Sequence, residues 1–107
     1  DKKYLDWAIR IWGWLASGHE HAFHFTTAGK GGWGSAMLYR ITGEKRYLEK
    51  CLSQRDFILS TQQPAGWMLG PGTKDFASQP LRTTYDFTAD FTSWLVDSAM
   101  ELAYMGM

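Results

Sequence analysis

The chain has 107 residues, of which 45% are hydrophobic and 16% aromatic, so it is too apolar for a disordered polymer and long enough for one small core. Eleven basic side chains balance eleven acidic ones, and this balance does not predict binding to nucleic acid or to an anionic membrane. The single cysteine, Cys51, excludes an internal disulfide. The longest uncharged run, residues 57–73, contains prolines and glycines and does not predict a membrane-spanning helix.

The first predicted element is a helix from Lys3 to Ser17. Its polar positions recur every three or four residues, and the remaining positions, among them Trp7, Trp12 and Trp14, form an apolar arc wider than the stripe of a surface helix. We therefore expect other helices to cover this helix on two sides. They would come from the same protein, as the remainder of a larger chain, or from other copies.

Residues Trp33–Thr42 predict a second helix. Glycines at 29, 31 and 32 form its entry, and Gly43 ends it in the left-handed conformation that closes a helix. A third helix follows at once, from Glu44 to Gln62, because apolar residues recur there at helical spacing. The short connection predicts a tight antiparallel hairpin.

A loop of about twenty residues follows, from Pro64 to Thr84, and loops of this length in small domains are often functional. The last predicted helix runs from Thr88 to Met105, with Asp86 or Thr88 as its N-cap. No segment shows the alternation typical of a strand. The sequence predicts an all-α fold of four helices in two hairpin-like units, with residues 1–107 forming one helical domain or a fragment of a larger one.

One segment carries a recognisable pattern: GWGSAMLYRITGEKRYLEKCLSQRDFILSTQ, residues 32–62, followed by Pro64, Gly66 and Trp67. It combines a Trp-Gly-small-Ala-x-Leu-Tyr helix, a Thr-Gly-x-x-x-Tyr-Leu turn and a Phe-Ile-Leu segment. This pattern resembles the helix pairs of the (α/α) toroid superfamily, which includes six-hairpin glycosidases, polysaccharide lyases and, more distantly, terpene cyclases. The resemblance implies an incomplete toroid or an assembling fragment, and a carbohydrate-processing activity by hydrolysis or elimination.

All three histidines, His19, His21 and His24, fall within six residues between the first two helices. In toroid lyases a His or Tyr takes the proton alpha to a uronate carboxylate, so the resemblance implies His21 or His24 as the proton-transfer group. No cofactor is required for that chemistry. A divalent metal held by the three imidazoles is a second interpretation. The third is that they are polar loop residues bonded to backbone carbonyls.

A second candidate group is Tyr85, Asp86 and Asp90. If a helix begins near Phe87, the two carboxylates lie one turn apart, where they could share a water or a sugar, with Tyr85 beside them. The alternative is structural, because Asp stabilises the first turn of a helix as a cap.

Most tryptophans have the spacing of core residues, but Trp33 and Trp67 lie at predicted loop edges, and we expect them to stack on sugar rings. The run AGKGGWG lacks the spacing of a phosphate-binding loop. Cys51 falls in an apolar stripe and is predicted to be an inert core residue.

These observations predict a glycoside hydrolase or polysaccharide lyase, or part of one, whose partner is an oligo- or polysaccharide. A second hypothesis is a non-catalytic helical module that binds a partner through its aromatic surface. A third is terpene cyclisation, although the acidic motifs of cyclases are not evident.

Overall fold

A computed structural model of the protein describes residues 1–17, 28–66, 68 and 81–107, with side chains throughout except at 28–29 and 81–87. These residues form four helices: α1 (Lys2–Ala16), α2 (Ala28–Thr42), α3 (Lys45–Ser60) and α4 (Leu81–Ala103). Within the described ranges there is no strand, and one isolated antiparallel bridge joins Gln62 to Met68. The prediction of an all-α fold with four helices is confirmed.

Helix α1 forms where the sequence predicts it. The carboxylate of Asp1 caps its first turn by accepting a 2.9 Å hydrogen bond from the Lys3 amide, and Ser17 closes its last turn. No residue of α1 is buried. The expected cover on two sides is therefore not provided by the part of the chain that the structure describes.

Helix α2 begins at Ala28, five residues before the predicted start at Trp33. The glycines at 29, 31 and 32 lie inside the helix, so the prediction that they form an entry loop is wrong. The physical reason is packing, since a Cβ on Gly32 would lie only 3.1 Å from Cβ of Gln54 in α3. Close approach to α3 offsets the low helix propensity of glycine.

The hairpin of α2 and α3 matches its prediction. Gly43 has φ of +73° and its amide donates to the Tyr39 carbonyl at 2.8 Å, which ends α2 in the expected way. The Thr42 hydroxyl accepts from the Glu44 amide and carries the chain into α3. Because Gly32 lies opposite Gln54, about equally far from this turn, the two helices are antiparallel.

Helix α4 begins at Leu81, seven residues before the predicted start at Thr88. Asp86 and Thr88 are consequently inside the helix, and the prediction that either is its N-cap is wrong. The Thr88 hydroxyl instead accepts a 3.0 Å hydrogen bond from the Met68 amide, and this bond holds Met68 against α4. Residues 81–84 of the predicted loop are helical.

Helix α2 is the centre of the fold, and α3 and α4 pack on it while touching each other little. Helix α4 runs parallel to α2, because Lys30 near the start of α2 meets Trp94 in the middle of α4, and Arg40 near the end of α2 meets Glu101 near the end of α4. Helix α1 contacts α2 only weakly, so the pair α1–α2 is packed much more loosely than the hairpin of α2 and α3. The buried cluster is built from both flanking helices and the bridge: Ile58, Met68 and Phe91, with Phe57, Trp94 and Leu95 around it.

Candidate functional site

Helices α2 and α4 run parallel, and the N-terminal end of α2 lies beside the middle of α4. There the Lys30 ammonium lies over the Trp94 ring, 5.6 Å from its centroid, as a cation on an aromatic face. Phe91 packs against the same indole with centroids 5.7 Å apart, and Phe91 itself is fully buried. The buried Phe91 thus supports the Trp94 ring, and Trp94 in turn contacts the Lys30 ammonium.

Trp33 lies in the second turn of α2, one turn after Lys30, rather than at the loop edge where it was predicted. Its side chain is 37% exposed. The ring therefore retains a solvent-accessible part that a ligand can contact. Helix packing holds its backbone in place, which favours a fixed contact surface over a mobile one.

Asp86 and Asp90 both lie in α4, four positions apart, so the predicted separation of one turn is met by the backbone. Asp90 is exposed, and Trp94 follows after one more turn. Tyr85 lies in the same helix, but the side chains of Tyr85 and Asp86 are outside the described residues. The series 86, 90, 94 is regular enough that the sequence could have identified Trp94 as part of this group.

The other predicted site residues, His19, His21, His24 and Trp67, lie outside the described residues. Among the side chains that the structure describes, no three His, Cys, Asp or Glu converge on a metal position.

Cys51 is buried on the inner face of α3, as its apolar surroundings predict. Burial raises the pKa of the Cys51 thiol, and the charge of Arg55 and a hydrogen bond with Ser98 offset part of that increase. The thiol therefore stays protonated at neutral pH and is a poor nucleophile. The prediction of an inert core cysteine is consistent with this environment.

Helix α1 is attached to the rest of the fold through Trp12. Its indole N–H donates to the Ser35 hydroxyl at 2.8 Å, and its ring packs edge-on against Tyr47 with centroids 4.7 Å apart. The Arg46 guanidinium lies 5.7 Å from the centre of the same ring. The sequence marks Trp12 as one of several apolar residues of α1 and does not identify it as the attachment point.

The opposite face of α1 is an exposed aromatic stripe. Its members are Tyr4 (64% exposed), Trp7 (51%), Ile11 (60%) and Trp14 (61%). Successive members are three, four and three residues apart, which is the spacing of a seam between packed helices. Large apolar side chains aligned in this way mark an interaction surface rather than scattered surface residues.

Comparison with family models, curated proteins and solved structures finds no match to this chain. None of the helices in the described ranges carries an apolar stretch that would span a bilayer.

Proposed function

We propose that the chain is a portion of a carbohydrate-processing enzyme of the α/α toroid type, acting on uronate-containing chains by hydrolysis or elimination. The observation that carries the proposal is the pairing of Lys30 with Trp94 where the start of α2 meets the middle of α4, with the exposed Trp33 and Asp90 each one turn away along their own helices. The sequence pattern of residues 32–67 supports it independently.

The chemistry of these side chains suits an acidic sugar. An indole face packs on the apolar face of a sugar ring, and Trp33 offers an accessible one. The Asp90 carboxylate can accept hydrogen bonds from sugar hydroxyls, while the Lys30 ammonium can pair with a uronate carboxylate. In this proposal His21 or His24 is the proton-transfer group, and Tyr85 and Asp86 of α4 are its partners.

The helix arrangement also suits a segment of a larger toroid. In consecutive helical hairpins every second helix points the same way, and α2 and α4 are parallel with α3 antiparallel to both. Exposed apolar residues remain on α2 and α4 as well as on α1, for example Met37, Ile41, Val96 and Met100. Such faces are the surfaces on which neighbouring hairpins stack.

Binding of a uronate oligosaccharide, followed by NMR through the indole N–H signals, tests this proposal. We expect saturable shifts at Trp33 and Trp94, and loss of those shifts in Trp33→Ala and Asp90→Asn. The Trp14→Ala variant is the matched control, since it removes an exposed indole at another part of the surface. Absence of any shift at Trp33 and Trp94 at millimolar oligosaccharide would contradict the proposed site.

The products formed from a uronate oligosaccharide distinguish hydrolysis from elimination. Hydrolysis and elimination both release new reducing ends, but only elimination creates a carbon–carbon double bond that absorbs in the ultraviolet. We expect His21→Ala and His24→Ala to separate a catalytic imidazole from a bystander, because only the former lowers turnover without weakening sugar binding. Unchanged turnover in both variants would remove the histidines from the mechanism.

A second candidate function, a non-catalytic helical module, is favoured by the exposed stripe on α1. This function requires that the stripe bind a partner, and sedimentation of the wild type and of a Trp7→Glu, Trp14→Glu variant tests it. Self-association that the two substitutions abolish would support it. A monomeric wild type at all concentrations would exclude other copies of the chain as that partner.

A further inference from the structure

Helices α3 and α4 diverge from one another over α2 and leave a cavity of about 350 Å³ between them, with Gly32 at its floor. Its walls are largely apolar: Leu52, Ile58, Trp94, Leu95, Ala99 and Leu102. Small-molecule sites typically have volumes of roughly 300–1,000 Å³, apolar walls and a few polar groups. This cavity, here named the α3–α4 groove, has those properties.

Gln54 lines the groove with an unsatisfied acceptor. Its side chain is only 2% exposed, and its Oε1 has no hydrogen-bond partner. Buried amide oxygens are nearly always paired, because an unpaired one loses its hydration without compensation. The close approach of α2 at Gly32 fixes Gln54 in this position, since the Cβ of Gln54 abuts the glycine.

Three other polar side chains line the groove. The Ser98 hydroxyl lies beside the buried Cys51 thiol, close enough to lower the pKa of that thiol. Arg55, at the mouth of the groove, pairs with Asp56, with Nη2 and Oδ1 separated by 2.7 Å. The site therefore offers one acceptor in an apolar enclosure and no unpaired charge.

We propose that the α3–α4 groove binds a small, neutral, mostly apolar molecule that carries a single hydrogen-bond donor, and that this donor binds Gln54 Oε1. A cavity of about 150 Å³ holds benzene, so the groove has room for roughly two fused rings. The oxygen is covered in the ligand-free protein, and a turn of the terminal amide about its last side-chain bond presents it to the ligand.

The experiment compares two probes of the same shape. 1-Naphthol has two rings and one hydroxyl donor, whereas 1-methoxynaphthalene has the same rings and no donor. We expect 1-naphthol to shift the signals of the Gln54 side-chain amide and of Ala99 in a saturable way, and to bind about tenfold more tightly than the ether. Equal affinities would overturn the role assigned to Gln54.

Two variants give independent readouts. Gln54→Leu keeps the volume and removes the acceptor, so 1-naphthol should bind as weakly as the ether. Ala99→Phe fills the groove and should abolish binding of both probes, whereas Ala103→Phe, one turn further along α4 and outside the groove, should leave binding unchanged. Unaltered binding to Ala99→Phe, or probe shifts confined to the exposed residues of α1, would place the binding elsewhere and overturn the proposal.

Discussion

Helices α1 and α2 are both 15 residues long, but they occupy opposite positions in the fold. Helix α1 has three tryptophans and a strongly one-sided apolar pattern, yet none of its residues is buried. Helix α2 has four glycines and a weaker pattern, yet it is the helix on which α3 and α4 pack. Small residues allow helices to approach closely, whereas an apolar stripe defines only a surface that needs a partner.

The two helices are therefore stabilised by different contacts. Gly32 and Ser35 are buried against neighbours within the chain, so α2 is stabilised by contacts that the structure contains. Helix α1 relies on the cluster around Trp12. Substitutions in the body of the fold should therefore change the free energy of unfolding far more than substitutions on the exposed face of α1.

The largest effect is expected at Phe91, which is fully buried between α3 and the bridge residue Met68. Phe91→Ala should lower the free energy of unfolding by about 3–5 kcal/mol, because it removes a buried ring and leaves a cavity. Trp7→Ala removes a larger ring from the exposed stripe and should change the free energy of unfolding by about 0.5 kcal/mol or less. Urea denaturation measures both, and equal losses would contradict the comparison.

The next effect concerns the contact between α2 and α3. Gly32→Val should destabilise by about 1–3 kcal/mol, since even its Cβ would lie 3.1 Å from Gln54 Cβ and the two helices would have to separate. Gly34→Val is the matched control, because a Cβ there meets nothing within 4 Å. If both valines have the same effect on thermal unfolding, then helix propensity rather than close packing determines the glycine at position 32.

A smaller effect is expected at the attachment of α1. Trp12→Phe keeps an aromatic ring against Tyr47 but removes the indole donor to Ser35, and it should cost about 0.5–1.5 kcal/mol. Ser35 retains its own hydrogen bond to the Gly31 carbonyl, so α2 should be unaffected. Hydrogen exchange resolved by residue should show faster exchange in α1 alone, and faster exchange in α2 would show that Trp12 supports the core instead.

The smallest effect is a pH dependence. Because burial raises the Cys51 pKa above that of the unfolded chain, the unfolded state loses this proton first as pH rises. The contribution of Cys51 to stability should be intact below the unfolded thiol pKa of about 8.5 and decline above it, toward the folded pKa. Cys51→Ala should remove that part of the alkaline decline, and identical slopes in the two proteins would contradict the assignment.

The sequence predicted the helices well where local signals decide the structure. Gly43 ends α2 because only a residue tolerant of positive φ fits there, and the bounds of α3 follow from its periodicity. The starts of α2 and α4 were misplaced because tertiary packing overrides local preference. Glycine at 32 is stabilised in a helix by α3, and Thr88 bonds to Met68 instead of capping its own helix.

The candidate site was only partly predictable for the same reason. Asp86 and Asp90 share a helix at the expected spacing, and Trp33 is accessible although its position is helical. The pairing of Lys30 with Trp94 depends on the parallel packing of α2 and α4, two helices that are not consecutive in the sequence because α3 lies between them. The residue pattern of one helix does not indicate which residues of another helix will contact it. For the same reason, the sequence does not predict that the Gln54 side-chain oxygen is buried without a hydrogen-bond partner.

The central claim is that α1 is only weakly attached to the rest of the fold, with Trp12 as its main contact, and that Tyr4, Trp7 and Ile11 remain largely exposed. Hydrogen exchange of the monomeric wild-type protein, resolved by residue, tests it most directly. We expect amides of α1 to exchange at least a hundredfold faster than those at the centre of α2 and α3. Equal protection of α1 and α2 in the monomer would contradict it.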